Sequence, residues 1–398
     1  MSEVAVTGLG AVTPLGVGAE ELNRRWASGV TGISDGLGRC DEFEPADFLS
    51  VKELRRSDRC TQLATVAADE ALRAAGWIDD GLPYPSERIG CVIATGVGGM
   101  TSFEVAYDIL RDDGPDRVPP LTIPLIMPNA AAAAIAMRHG LQGECYGVVS
   151  ACAASAAAIG TAYRLIHCGD LDAVVVGGTE SAIGSLAVAA FANMGATSPC
   201  GISRPFDVER DGFVLGEGAA AIVLESAGAA RRRGAPLAGR LLGYGASCDA
   251  YHLTMPGREG RQAARAIRTA LADAELRPDD VDYVNAHGTS TPLNDRSETS
   301  AIKSALGEHA YKIPISSTKS TTGHLLGASA AVETVATLLA LRDGVAPPTL
   351  GLETPEEGLD LDYVPHTARP IPNGRGERIA LNNSFGFGGH NSVMVLAT

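Results

Sequence analysis

Nine short β-branched runs, spread along 398 residues with helix-length stretches between many of them, constrain this chain more than any other feature. They fall at 4–8 (VAVTG), 90–96, 145–150, 171–178, 220–226, 281–288, 313–317, 378–384 and 392–398. Amphipathic patterns such as TQLATVAADEALRAAG (61–76) and GRQAARAIRTALADAEL (260–276) lie between them. That alternation predicts layered α/β structure with sheets covered on both faces. The length exceeds what one hydrophobic core usually supports, so two domains or one large two-halved domain is expected. Only 5 % of residues are aromatic and 47 are Gly, which implies small side chains packed closely around the helices.

A faint internal repeat supports the two-halved reading. VSAC leads from a strand into a small-residue helix closing near Cys168-Gly169-Asp170, and IPISSTKSTTGH leads into LLGASAAVETVATLLALRDG. Both read as strand, Ser/Thr-rich turn and alanine-rich helix, which puts Cys152 and His324 at corresponding turns.

The formal charge of −15 argues against non-specific nucleic-acid binding, because phosphate recognition needs a basic field. In VKELRRSDR, however, Lys52, Arg55, Arg56 and Arg59 outnumber the acids. This patch reads either as a solvated helix face or as a dock for an acidic partner. The eight cysteines form no CxxC pair, so mostly structural thiols in a reduced, cytoplasmic protein are expected. No signal peptide is read at the N-terminus. Two uncharged stretches, Glu144 to Arg164 and Glu180 to Arg204, are long enough to span a membrane but too rich in Ala, Gly, Ser and Thr. They are expected as core helices or a subunit interface, with no membrane association.

Within VVSACAASAAAIG, Cys152 is either a small core residue or a nucleophile at a helix start. A helix N-terminus favours the thiolate, which would lower the thiol pKa. Two histidines bear on the choice. His287, in VNAHGTSTPLND, follows a strand and precedes Thr289 and Thr291 in a polar loop, where catalytic residues collect. His324 opens another helix five residues after Lys319. A helix N-terminus and a nearby ammonium should keep it neutral, able to donate one N–H to a developing oxyanion. The segment LNNSFGFGGHNS bends sharply and brings its backbone close to something, so its N–H groups are candidates for an oxyanion hole. TGLGAVTPLG lacks a full GxGxxG and does not read as a dinucleotide site.

In this order, VTGLGAVTPLG, SRPFDVERDGFVLGEGAA, VNAHGTSTPLND, TKSTTGHLLGA and NSFGFGGHN resemble the β-ketoacyl-acyl-carrier-protein synthases, specifically the elongating Cys-His-His subgroup. The resemblance runs essentially end to end. It implies a thiolase fold, five-layered αβαβα, with two pseudo-equivalent halves at 1–235 and 236–398. By resemblance Cys152 carries the acyl chain, while His287 and His324 promote malonyl decarboxylation and stabilise the enolate. The N–H groups of Cys152 and Phe387 form the oxyanion hole, and Phe387 gates the site. Lys319 and Glu333 order the histidines, and Thr289 and Thr291 touch the pantetheine arm. Lys52, Arg55 and Arg56 dock the acyl carrier protein. The resemblance implies no bound metal or cofactor, since substrates arrive on the carrier's phosphopantetheine, and it implies a dimer, with a second copy or with a cysteine-less chain-length-factor paralogue.

Thiolases need a second catalytic cysteine near the C-terminus, and no Cys follows Cys248. Initiating synthases carry Asn where this chain has His324, and chain-length factors lack the nucleophile. Fatty-acid elongation and a discrete polyketide system both remain open, as does a non-catalytic scaffold. Three departures stand out. CAAS replaces a hydroxyl and glycine after the nucleophile, MGATSPCGISRPFD is short and lacks basic residues, and DAYHLTMPGREG is trimmed.

Overall fold

The computed structural model describes residues 3–78, 81–372 and 376–398. Ten strands form one hydrogen-bonded path. The first five are β1 (Val4–Thr13), β2 (Ile89–Ala94), β3 (Cys145–Val148), β4 (Ala173–Glu180) and β5 (Gly218–Ser226). The second five are β6 (Gly239–Cys248), β7 (Tyr283–Asn285), β8 (Ile315–Ser316), β9 (Ile379–Gly386) and β10 (His390–Ala397). The path reads β8-β7-β9-β10-β6-β1-β5-β4-β2-β3. Counted outward from the centre, each set of five runs first, fifth, fourth, second, third. The parallel and antiparallel pairings also match between the sets. The two sets meet where Val4–Val6 pairs antiparallel with Gly239–Leu241.

Among the described residues, six helices complete the layers. Outside the first set lie α1 (Arg59–Ala74) and α2 (Ala130–His139), and between the two sets lies α3 (Ala154–His167). Outside the second set lie α4 (Arg261–Asp273) and α5 (Pro292–Leu306), and α6 (Ser329–Asp343) joins α3 in the middle layer. The middle position explains their composition. α6 is buried on every side from Ser329 to Leu341, so it has no polar face, and both helices use Ala, Thr and Ser to let strands approach from two directions.

All nine predicted runs fall on strands of this path, and the two predicted helices are α1 and α4. The tenth strand, β6, is absent from the sequence reading because GRLLGYGASC lacks β-branched residues. Its glycines are there for contact: a Cβ at Gly245 would lie 2.1 Å from the Ala266 oxygen and one at Gly243 2.6 Å from the Ala270 oxygen. The strand is held by pairing on both edges and by α4 lying directly on its backbone.

The cysteines correct the expectation of mostly structural thiols. All eight are free; Cys40, Cys60, Cys91 and Cys152 are buried, while Cys145, Cys168, Cys200 and Cys248 are exposed. Among the described residues no helix is long and apolar enough to cross a membrane. The stretch 144–164 forms β3 and α3, and 180–204 contains a helix, Ser185–Asn193, flanked by exposed Met194.

The CAAS departure has a packing role. Ser155 is fully buried, and its Oγ accepts the Ala331 N–H at 3.0 Å. Ala331 lies in the first turn of α6, whose own N-cap, Ala328, supplies no side-chain bond. The hydroxyl from one half therefore caps a helix of the other. Ser155→Ala should lower unfolding free energy by about 1–2 kcal/mol, read as a shifted urea midpoint; an unchanged midpoint contradicts the assignment.

Candidate active site

Four strand ends from the two halves converge. β3 runs into Ala151, a non-glycine residue at φ +51°, and then Cys152, two residues before α3 begins. β7 runs into His287, β8 into Lys319 and His324, and β9 into Phe387. Cys152 and His324 each follow the outermost strand of their half, as the repeat predicts. Cys152, His287, His324, Phe387, Thr289 and Thr291 line one cavity of about 560 Å³. The other walls are mostly apolar, including Phe191, Phe213 and Met255.

The rings of His287 and His324 meet edge to face, with centroids 5.4 Å apart at 84°. Phe213 lies against His324 at 5.2 Å and Phe385 against His287 at 5.8 Å, so aromatic walls set both ring planes. Each histidine is held well below the ordinary range, first by burial and then by the Lys319 ammonium. Both are therefore neutral. His324 Nδ1 receives the Leu326 N–H at 3.3 Å and lies 3.0 Å from Ser329 Oγ. A backbone N–H can only donate, so Nδ1 is the acceptor and the ring proton sits on Nε2. The neutral state agrees with the sequence reading, but its cause does not. His324 lies five residues before α6, and burial rather than a helix N-terminus leads.

Cys152 needs a larger correction. Burial pushes its thiol up to about 11, opposed by the Lys319 ammonium and by the N–H groups of Phe387 and Cys152 itself. Desolvation outweighs the expected helix effect because the site excludes water. At pH 7 the thiolate fraction is then on the order of 10⁻⁴, and it grows tenfold per pH unit below the pKa. Iodoacetamide labelling of the Cys152 peptide should rise about tenfold per unit from pH 7 to 10; a plateau by pH 8 contradicts this environment.

The glycine-rich segment after β9 does what its sequence implies. A Cβ at Gly386 would lie 3.0 Å from the Cys152 nitrogen and 3.1 Å from that of Ala153, so the chain passes directly over the nucleophile turn. The trimmed 249–260 segment faces this loop. Gly388 N–H donates to the Leu253 oxygen at 2.7 Å, and Asp249 N–H to the Gly389 oxygen at 2.8 Å.

Lys319 and Glu333 form an ion pair behind the histidines, with side chains 1 % and 2 % exposed. Thr289 Oγ1 and Thr291 Oγ1 are 2.9 Å apart on the cavity wall. Lys52, Arg55 and Arg56 are exposed around the short helix Val51–Leu54. Arg59 leaves this patch: it turns inward to Glu217 at 3.0 Å.

Two acids on α5 escaped the sequence reading. Glu298 receives the N–H groups of His287 and Gly288, both at 2.7 Å, and Asn383 Nδ2 at 3.1 Å. Asp295 receives Phe206 N–H at 2.9 Å and Thr289 N–H at 3.1 Å. The available signal was their spacing: acids at i and i+3 of an otherwise capped helix share a face, here the buried one.

Comparison with known proteins decides the family. The model for the Beta-ketoacyl synthase N-terminal domain matches residues 37–230, and that for the C-terminal domain matches 238–353. The chain belongs to the β-ketoacyl synthase family. As a β-ketoacyl synthase it is an acyltransferase that builds its product by condensation. It is 45 % identical to the 3-oxoacyl-[acyl-carrier-protein] synthase 2 of Synechocystis sp., covering 98 % of this chain and 97 % of the relative. It is 41 % identical to the synthase of the same name from Coxiella burnetii, covering 99 % and 98 %. Among solved structures, this β-ketoacyl synthase matches the ishigamide ketosynthase/chain length factor at TM-score 0.92 and 32 % identity, covering 100 % and 99 %. It also matches the AntDE:AntF structure, a type II PKS acyl-carrier protein in complex with its ketosynthase bound to the hexaketide, at TM-score 0.90 and 33 % identity, covering 99 % and 98 %. The thiolase-like ketosynthase fold follows from these matches and from the strand order described above.

Proposed function

We propose that this synthase elongates acyl chains carried by an acyl carrier protein, with Cys152 as the covalent carrier and His287 and His324 as the decarboxylation pair. The convergence of these three residues on one apolar cavity carries the reading. Cys152 Sγ attacks the acyl thioester; the C–S bond to the carrier's phosphopantetheine breaks, and the carrier thiol leaves with the proton that Cys152 gives up. The oxyanion of the tetrahedral intermediate takes the N–H groups of Cys152 and Phe387. Malonyl-carrier protein then enters, guided by Thr289 and Thr291. The His324 Nε2–H and His287 stabilise negative charge on its thioester oxygen while CO2 departs. The enolate carbon attacks the acyl-Cys152 thioester, a C–C bond forms, the C–S bond breaks, and the Cys152 thiolate so released takes a proton from solvent. Burial, helped by the Lys319 ammonium that Glu333 holds, keeps both rings neutral.

Lys52, Arg55 and Arg56 form the carrier dock, a local basic patch on a chain of net charge −15. Charge reversal at all three should raise KM for a carrier-bound acyl chain about tenfold more than KM for an acyl thioester without a carrier. Equal changes would sink the dock.

Fatty-acid elongation is the reading favoured by identity, 41–45 % to the synthase 2 relatives against 32–33 % to the polyketide-associated structures. We also read the chain as two halves, 1–235 and 236–398, working as a dimer in the cytoplasm. β3 is an edge of the sheet, flanked by exposed Met137 and Val149. Sedimentation of the purified chain at twice its own mass supports a homodimer; a monomer that dimerises only with a cysteine-less paralogue supports the polyketide alternative.

A further inference from the structure

β4 ends on Glu180, which is fully buried and takes no part in the steps above. Its carboxylate collects four donors. Oε2 accepts Gly96 N–H at 2.6 Å and Gly327 N–H at 3.0 Å. Oε1 accepts the Thr95 hydroxyl at 2.9 Å and Val97 N–H at 3.4 Å. Thr95 Oγ1 is itself the acceptor of Gly98 N–H at 2.9 Å, which leaves its own hydrogen for Glu180. Burial pushes the Glu180 carboxyl up to about 7 against the pull of these four donors, so at pH 8 it is mostly the acceptor-only carboxylate.

The donors come from both halves. Residues 95–97 follow β2 and place Gly96 and Val97 in the cavity wall. Residues 325–328 precede α6, and there Leu326 also reaches the cavity while its N–H fixes His324 Nδ1. The two loops touch backbone to backbone, since a Cβ at Gly327 would lie 2.2 Å from the Gly96 nitrogen. One carboxylate therefore holds the residue next to the donor that sets the His324 tautomer.

We propose that Glu180 is a positioning residue for decarboxylation: it clamps the 325–328 loop onto the 95–97 loop and so keeps His324 as an Nε2–H donor. This rests on the function proposed above. Glu180 touches neither Cys152 nor the reacting atoms, so its removal separates the two half-reactions. In Glu180→Gln the side-chain amide faces N–H donors, and the clamp loosens. Its negative charge also contributes to raising the Cys152 thiol, so the same variant has no reason to slow the nucleophile.

The test uses full-length Glu180→Gln at pH 8, with malonyl-carrier protein for decarboxylation, acyl-carrier protein for Cys152 acylation, and iodoacetamide for thiol reactivity. Decarboxylation should fall about tenfold to a hundredfold, the usual cost of a misplaced catalytic group. Acylation should change less than about threefold and alkylation should hold or quicken. Equal loss of decarboxylation, acylation and alkylation would show a general structural role and overturn the assignment, as would unchanged decarboxylation. If Glu180→Gln does not fold, Thr95→Val, which removes one donor, must give the same split at smaller size or the assignment fails. A wild-type protein that is never acylated by acyl-carrier protein would refute the proposed function itself, a result distinct from either.

Discussion

His324→Ala should lower malonyl decarboxylation by about 10²–10³-fold while acyl transfer to Cys152 falls less than about tenfold. The asymmetry follows from where the ring proton sits. Leu326 N–H occupies Nδ1, so the neutral ring offers one donor, at Nε2, and burial keeps it from becoming imidazolium. Decarboxylation places charge on the malonyl thioester oxygen, where a preorganised N–H in a water-poor cavity is worth most. In the proposed mechanism acyl transfer places its oxyanion against the N–H groups of Cys152 and Phe387, which the substitution does not touch. His324→Asn, which can still present an N–H, should recover part of the loss. Equal damage to both half-reactions would contradict the division of labour.

Lys319→Met should cost about 3–5 kcal/mol of folding free energy, because it strands the Glu333 carboxylate in the core. Both partners are almost completely buried, and burial already pushes Glu333 upward against the pull of Lys319. The double variant Lys319→Met/Glu333→Leu should regain most of that stability, since a well-packed apolar pair of similar volume replaces a desolvated ion pair. It should regain condensation at high pH but lose it sooner than the unmodified protein as pH falls. Lys319 is the second cause holding both histidines below their ordinary range, so its loss moves both upward. The folded-state pKa values stay depressed by burial, and the activity limb set by histidine protonation moves to higher pH. A double variant that is stable and keeps the acid limb at its original pH would remove Lys319 from the mechanism.

The sequence was most informative where local and global demands agree. β-branched runs bracketed by amphipathic helices read directly as covered strands, and the strand, turn and helix repeat placed Cys152 and His324 at matching positions. It failed where contact rather than propensity decides. β6 is a strand because α4 lies on its glycines, a relation between residues 243–245 and 266–270 that no local pattern carries. Arg59 stands among basic neighbours and so reads as an exposed cation, yet its partner Glu217 lies far along the chain. The electrostatics of Cys152 inverted for the same reason. A helix start is visible in sequence, whereas the burial that overrides it is assembled from loops of both halves. Glu180, Asp295 and Glu298 are the acids that hold those loops, and their backbone donors leave no mark on residue identity.

The covalent intermediate on Cys152 is the step on which every other assigned role depends. Full-length protein incubated with radiolabelled acyl-carrier protein should acquire one acyl group, located by peptide mapping on Cys152, and Cys152→Ala should acquire none. Label that persists in Cys152→Ala, or that maps to another cysteine such as Cys145 or Cys200, would contradict it.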